Sequence, residues 1–256
     1  MASPLFILRQ MVQRDFKSRY AGSAGGALWS LVQPLWTLLL LSWIFSVIIK
    51  FDLSGELTQN FAVYLFGGLI PWMAVNEGVQ RAATCVVDNG GLVTKLRFPA
   101  ELLVASVVIS ALIQSAIAAL IYGVVLAFTG ELDLAAVWLL ALALPLQLGL
   151  TTGLGLFAAA VHVYFRDAVQ VFTMLLNGWF YFTPIVFPLA VLPGRLREAL
   201  ELNPLTPLVG LYRGAFLGGA LGPPAKLLPL VIAAAVALLV GVTLFRRLEG
   251  DFADEL

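Results

Sequence analysis

Six stretches of this chain run without an Asp, Glu, Lys or Arg: Tyr20 to Ile49, Leu57 to Asn76, Leu102 to Gly130, Leu134 to Phe165, Ala168 to Gly194 and Leu227 to Phe245. Each reaches the roughly 17–25 residues that a helix needs to cross about 30 Å of hydrocarbon, where a chain must satisfy its own backbone. A closed barrel would require segments of about ten residues with alternating polarity, and none of these alternates. The reading is an all-α integral membrane protein with six transmembrane helices at 28–49, 60–77, 103–128, 135–161, 169–187 and 227–245, forming one transmembrane domain over 1–256. Composition agrees, with 61% of residues hydrophobic and 12% charged, against roughly 45–50% and 25% in soluble domains.

The first residues, MASPLFILRQMVQRDFKSRY, do not read as a cleavable signal, because the apolar run is short and positive charges follow it. Leu5, Leu8, Val12, Phe16 and Tyr20 recur at helical spacing, with Gln10, Gln13, Arg14 and Lys17 elsewhere on the wheel. The pattern predicts an amphipathic helix over 1–21, lying in the interface. Lys and Arg cluster in that segment, in the loop holding Arg81, Lys95 and Arg97, and at Arg246 and Arg247, which predicts that both termini are cytoplasmic. The loop at 188–226, with Arg195, Arg197, Arg213 and Lys226, runs against the rule, which long loops obey less strictly.

Two loops carry more than a connection requires. In the internal one, EGVQRAATCVVDNGGLVTKLRFP, a helix-compatible half meets the Asn89-Gly90-Gly91 breaker and continues to Phe98-Pro99. A short exposed helix there suits docking to a soluble partner, and a solvated linker fits the same pattern. In the external one, Leu196, Ala199 and Leu200, then Leu208, Leu211, Tyr212, Ala215 and Phe216, predict two short amphipathic helices separated by Asn203-Pro204 and Thr206-Pro207. They are too short to span, and suit dipping into the outer leaflet or covering an exit.

Several chemistries are excluded by what is missing. Net charge is zero, so nothing draws the chain to nucleic acid. The four lysines lack the G-x-x-x-x-G-K-[ST] frame, so the chain has no P-loop for ATP. One cysteine and one histidine argue against a metal centre, and no cofactor is expected on this chain. Carboxylates in the spans are confined to Glu77 and Glu101 near span ends, which disfavours an ion-coupled transporter. His162 and Asp167 match the H-x-x-x-x-D spacing of acyltransferases, in which a carboxylate orients a histidine base. Without a further site this is a weak signal, and the expectation is a transport subunit and not an enzyme.

Aromatics form two stripes. Trp29, Trp36 and Trp43 stand seven apart in the first span, a spacing that drifts by only about 20° on a helix. Phe165, Phe172 and Trp179 repeat it in the fifth, and Phe182 joins that face. An interfacial belt explains tryptophans at the edges of a span, but Trp36 lies midway between two residues about 21 Å apart along the helix. Helix packing and the lining of a path both account for it. Ring faces can hold the C–H faces of a passing ligand for about 0.5–1.5 kcal/mol each, by analogy with aromatic pairs, a weak contact that suits a ligand that must slide.

The motifs RDFKSRYAGSAGGALWSLVQPL (14–35), NGGLVTKLRFPAELL (89–103), YFRDAVQVF (164–172), FYFTPIVFP (180–188) and NPLTPLVGLYRGAF (203–216) together resemble the permease subunit of type-2 ABC exporters of bacterial polysaccharides. The resemblance covers nearly the whole chain, although Gly22-Ser-Ala-Gly25-Gly26 is looser than the family's pattern before Trp29. It implies a homodimer in the inner membrane paired with two separate ATPase subunits, which bind ATP and Mg. The dimer would export a lipid-linked polysaccharide, O-antigen first among the candidates; capsule and teichoic acid stay open, as does an exporter of a drug or lipid. By the same resemblance Arg14, Asp15, Lys17, Arg19 and Tyr20 belong to the interface helix. The coupling segment 81–98, with Asp88, Asn89, Leu92, Lys95 and Arg97, meets the ATPase, and the turn with Arg166 and Asp167 makes a second contact. Residues 195–219, with Asn203, Pro204, Tyr212 and Arg213, form the external gate. Spans one and five, with Trp29, Trp36, Trp43, Phe172, Trp179 and Phe182, line the channel.

Overall fold

The computed structural model describes residues 4–20, 32, 35–36, 39–40, 43–44, 53, 55–94 and 99–255. The elements are helices: α1 (Pro4–Tyr20), α2 (Phe61–Asp88), α3 (Glu101–Thr129), α4 (Leu139–Tyr164), α5 (Ala168–Tyr181), α6 (Gly194–Glu201), α7 (Leu205–Leu217) and α8 (Leu228–Leu248), with single turns at Gly90–Val93 and Phe252–Glu255. Among the described residues there is no strand, only an isolated bridge between Asp133 and Leu217. Three helical runs, Glu101–Thr129, Leu139–Tyr164 and Pro224–Asp251, are long and apolar enough to cross a membrane. The described positions between 32 and 44 are helical as well.

Helices α2 to α5 and α8 alternate in direction, which gives the bundle two poles. One pole holds the start of α2, the ends of α3 and α5, and the start of α8, together with α6 and α7. The other holds the end of α2, the start of α3 and the end of α8, with α1 packed on α3. At the first pole Asn60 caps α2, its side chain accepting from the Ala62 N–H at 3.1 Å. Gly218 ends α7 at φ 71°. A Cβ there would stand 2.2 Å from Asp133 Oδ2, so the position demands glycine on both counts.

Helix α4 is the centre, packed on α2 and α8. Small residues set how closely it approaches them. A Cβ on Gly153 would lie 2.2 Å from the Ala237 carbonyl carbon, and one on Gly241 2.2 Å from the Gly153 oxygen, so α4 and α8 touch backbone to backbone. Without a hydrophobic force between helices in lipid, such close packing supplies much of the association. Gly78 on α2 and Gly155 on α4 bring these two helices close, since a Cβ would meet Thr151 Cγ2 of α4 at 2.6 Å and Ala82 Cβ of α2 at 2.8 Å.

Helix α5 is shorter than the apolar run that encodes it. It stops at Tyr181, and Thr183, Pro184, Ile185, Val186 and Pro188 are buried without being helical. Pro184 disfavours helical backbone in the residue before it and donates no hydrogen bond itself. Helices α6 and α7 also divide differently from their sequence punctuation. The break is Leu202 to Pro204 alone, while Thr206-Pro207 sits in the first turn of α7, where a missing N–H costs nothing.

Candidate functional site

The irregular stretch after α5 leaves carbonyls that a buried segment must satisfy. Three side chains from other elements do so. Asn203 Nδ2 donates to Phe182 O at 2.7 Å and to Thr183 Oγ1 at 3.1 Å, while its Oδ1 accepts from Trp179 Nε1 at 2.9 Å and from the Leu205 N–H at 3.0 Å. One amide therefore ties the end of α5 to the start of α7. Arg213, on α7, is buried and donates through Nε to Tyr64 O at 3.0 Å, through one terminal nitrogen to Pro184 O at 3.0 Å, and through the other to Ile185 O at 2.9 Å. Tyr64 on α2 completes the set, its hydroxyl donating to Phe187 O at 3.1 Å.

Arg213 is an unusual buried cation, since its close partners are carbonyls and an aromatic face. Its guanidinium carbon lies 3.5 Å from the centroid of the Tyr64 ring, a cation–π contact strengthened by burial. The planar fork matches three fixed acceptors at once, which an ammonium cannot do. Gly67 and Gly68 make the room, because a Cβ there would stand 3.1 Å from Arg213 Cγ and 2.8 Å from its terminal nitrogen.

A second chain of bonds fixes how deep α7 reaches. Tyr212 Oη donates to Gln147 Oε1 at 2.5 Å, and Gln147 Nε2 donates to Pro71 O at 3.0 Å. Gln147 lies two turns inside α4, about 12 Å from its start. Helix α7 thus enters the bundle from its pole and stops partway. Ser115 donates to Ile70 O at 3.1 Å, so the carbonyls beside the Pro71 interruption take partners from α3 and α4.

At the opposite pole, α1 and the end of α2 are clamped. Asp15 pairs with Arg81 at 2.5 Å, both partly buried, and Arg14 donates to Asn89 Oδ1. Asn89 also donates to Cys85 O at 2.8 Å, closing the α2 terminus. Burial, with Asp88 adding, raises the pKa of the Cys85 thiol, which stays protonated as a packing group beyond the apolar part of α2. The start of α3 is held from α8, where Glu249 accepts from the Ala100 N–H at 3.0 Å and Arg246 donates to Glu101 at 2.6 Å. The residues expected in the interface helix and the coupling segment are therefore neighbours. Asp88, Arg166 and Asp167 are exposed around them, and Lys17 is exposed on α1. Leu92 lies half-buried in the turn that follows. Arg19 and Tyr20 close α1; Lys95 and Arg97 lie outside the described residues.

The two aromatic stripes part company. Trp36 and Trp43 are 58% and 61% exposed, and Trp29 lies outside the described residues. In α5 Phe172 packs edge-on against Phe157 at 6.0 Å, and Trp179 is half-buried with its indole N–H on Asn203. Phe165 and Phe182 flank α5 as exposed residues outside its helical turns. The exposed face of α5 is instead Val171, Met174 and Leu175. His162 is buried with Nδ1 lacking a hydrogen-bond partner, and Asp167 is exposed, so the contact an acid–base pair needs is not made.

Sequence reasoning singled out Asn203, Pro204, Tyr212 and Arg213, and three of these four side chains hold the pole together, with Pro204 preceding α7. It passed over Tyr64, Gln147, Gly67 and Gly68, and counted Arg81 only as a basic residue of the coupling segment without its Asp15 partner. Gln147 was detectable as a strong hydrogen-bonding group in an apolar run, where such groups face other helices.

A helical bundle with three apolar runs of spanning length, a helix stapled into one pole and another clamped at the opposite pole fits a membrane-embedded protein. The chain belongs to the ABC-2 type transporter family, whose model matches residues 7–217. It is 30% identical over 252 residues, 98% of this chain and 95% of the relative, to the O-antigen export system permease protein RfbA of Myxococcus xanthus. It is 23% identical over 251 residues (98% and 95%) to a protein of the same name from Klebsiella pneumoniae. Over 237 residues (92% and 91%) it is 27% identical to the polysialic acid transport protein KpsM of Escherichia coli.

Proposed function

We propose that this chain is the permease of an ATP-driven exporter of a lipid-linked polysaccharide, with O-antigen as the first reading of the cargo. The observation that carries it is the near full-length similarity to permeases named for O-antigen export and for polysialic acid transport. The second of these keeps a capsular polymer as the alternative cargo. On this reading the chain spans the inner membrane six times with both termini in the cytoplasm, and two copies enclose the path. Two ATPase subunits, holding ATP and Mg, dock under the α1 pole on Asp88 to Arg97 and on Arg166 and Asp167. The α6–α7 pole faces outward as the gate.

The clamp supports this division of labour. Movement applied at Asn89 reaches α1 through Arg14 and α2 through its own helix, so the docking surface and the interface helix shift together. A ligand-driven change needs such differential contacts between two states. The lining set keeps Trp29, Trp36, Trp43 and Phe182, with Phe172 and Trp179 offering the edges that their packing leaves exposed.

The test is reconstitution. The chain, co-purified with a candidate ABC ATPase partner, is placed in vesicles with a lipid-linked O-polysaccharide. ATP-dependent movement of polymer to the far side is the expected result, with no hydrolysis by this chain alone. ATP hydrolysis by the pure chain, or polymer movement without ATP, overturns the reading.

A further inference from the structure

Behind the gate helices a cavity of about 250 Å³ opens between α6, α7 and the start of α8. Its walls are apolar, with Leu139, Leu211, Leu221 and Leu227 among them, and its polar groups are Glu201, Thr206 and Lys226. No aromatic ring lines it, so it lacks the stacking platform that a sugar polymer would use. Apolar walls under a few charged groups suit an amphiphile instead.

The charges narrow the choice. Lys226 immediately precedes the apolar run of α8, at the level where a cation meets lipid phosphate. Thr206 spends its hydroxyl proton on Leu200 O at 2.6 Å, which leaves that oxygen as an acceptor. Glu201 gives Oε1 to Arg197 at 3.2 Å and has its second oxygen to offer. The cavity thus pairs one donor cation with two acceptors. We propose that it binds the headgroup of a zwitterionic phospholipid carrying a primary ammonium, with the phosphate on Lys226 and the ammonium on Glu201 and Thr206. A quaternary ammonium donates no N–H bond and prefers an aromatic cage, which is missing. An anionic headgroup without an amine, such as phosphoglycerol, has no cation to set against Glu201.

The contacts come from three elements: Glu201 ends α6, Thr206 begins α7 and Lys226 precedes α8. A bound headgroup therefore bridges the two gate helices to the body of the bundle and holds the gate against α8. The inference rests on the chain spanning a membrane and not on which polymer it exports.

The experiment uses the full chain, taken from vesicles of phosphatidylethanolamine, phosphatidylglycerol and phosphatidylcholine mixed in equal amounts, with retained lipid counted by native mass spectrometry. Wild-type protein is expected to retain phosphatidylethanolamine on the order of tenfold over the other two, and Lys226→Glu and Glu201→Gln each to lose that preference. Lys226 is exposed, so its variant is expected to keep the wild-type melting curve; Val231→Ala, on the lipid-facing side of α8, serves as the control that keeps the preference. Equal retention of the three lipids by the wild type, or an unchanged preference in both charge variants, overturns the proposal. Because no polymer and no ATP are present, either result stands apart from the export assay.

Discussion

The guanidinium carbon of Arg213 lies 3.5 Å from the centroid of the Tyr64 ring, so the deepest cation of the α7 pole rests on α2 while its nitrogens hold the backbone after α5. Replacing it with lysine keeps a charge but gives up the fork that reaches Tyr64, Pro184 and Ile185 together. With at least one buried carbonyl left unpaired and a cation poorly matched, Arg213→Lys is expected to cost about 2–4 kcal/mol. A melting curve in detergent reads this directly, and a melt within a degree of wild type shows that the staple holds nothing.

Tyr212 offers a milder cut in the same region. Tyr212→Phe keeps the ring and removes the proton shared with Gln147, leaving the amide with its bond to Pro71 O. The expected loss is about 1 kcal/mol. Gln147→Leu removes both bonds and leaves the Tyr212 hydroxyl buried and unpaired, so it should cost more than Tyr212→Phe. The reverse order would mean that Gln147 finds other partners.

The contact between α4 and α8 makes a sharper prediction, because two glycines four residues apart differ in what a methyl would meet. At Gly153 it would overlap the Ala237–Leu238 backbone, while at Gly149 its nearest neighbour is Ala234 Cβ at 3.9 Å. Gly153→Ala is expected to force the helices apart at a cost of about 1–3 kcal/mol or more. Gly149→Ala is expected to be neutral or slightly stabilising, since alanine favours helix over glycine. Thermal melts of the two variants side by side decide it; equal effects would place the close approach elsewhere.

Much of this architecture was legible before any coordinates. Charge-free runs marked the three helical runs that are long and apolar enough to cross a membrane, and alternating patterns were missing, which left only α-helix. The pair α6 and α7 was legible too, because Asn203-Pro204 interrupts two amphipathic patterns. The end of α5 at Tyr181 was harder to read. Hydropathy continues through Val186 and Phe187, and only the carbonyl bonds from Asn203, Arg213 and Tyr64 let the chain leave the helix while buried. Such long-range compensation has no local signature. Arg213 shows the same limit, since it counted as one more basic residue in an external loop and nothing near it in sequence reveals its carbonyl partners. The aromatic stripe of α5 shows how little a period alone specifies. Seven-residue spacing puts Phe172 and Trp179 on one face, but it does not say that Phe157 and Asn203 occupy that face.

At the other pole, the Asp15–Arg81 pair is where movement of the coupling segment would reach α1. Asp15→Arg and Arg81→Asp should each lower the number of polymers exported per ATP hydrolysed, and the double exchange should recover most of it. A partly buried pair of this geometry is expected to show a coupling energy of about 1 kcal/mol in a double-mutant cycle. Charge reversal at Asp88, Lys95 and Arg97 is expected to act differently, weakening ATPase docking without affecting the melt. Assaying hydrolysis and export in the same vesicles separates the two. Full export from the single exchanges would dissociate the pair from coupling.

Two tryptophans provide the comparison that bears most directly on the path. Trp36 is 58% exposed on its helix, whereas Trp179 is half-buried and bonded to the Asn203 that caps α7. Truncating Trp179 removes packing and a hydrogen bond at once, and Trp179→Ala is expected to cost about 3–5 kcal/mol of stability. Trp36→Ala deletes an exposed ring and is expected to shift stability by less than about 1 kcal/mol, because little of the protomer rests on it. If Trp36 lines the path, its loss removes a stacking platform and slows polymer export several-fold at unchanged ATP affinity. Phenylalanine at the same position restores much of the rate, since it keeps a ring face to offer. Trp36→Leu, apolar but flat-faced no longer, separates stacking from mere hydrophobicity. Export as fast with leucine as with tryptophan would assign that face to lipid or to a neighbouring helix, and a large drop in the melt of Trp36→Ala would assign it to helix packing.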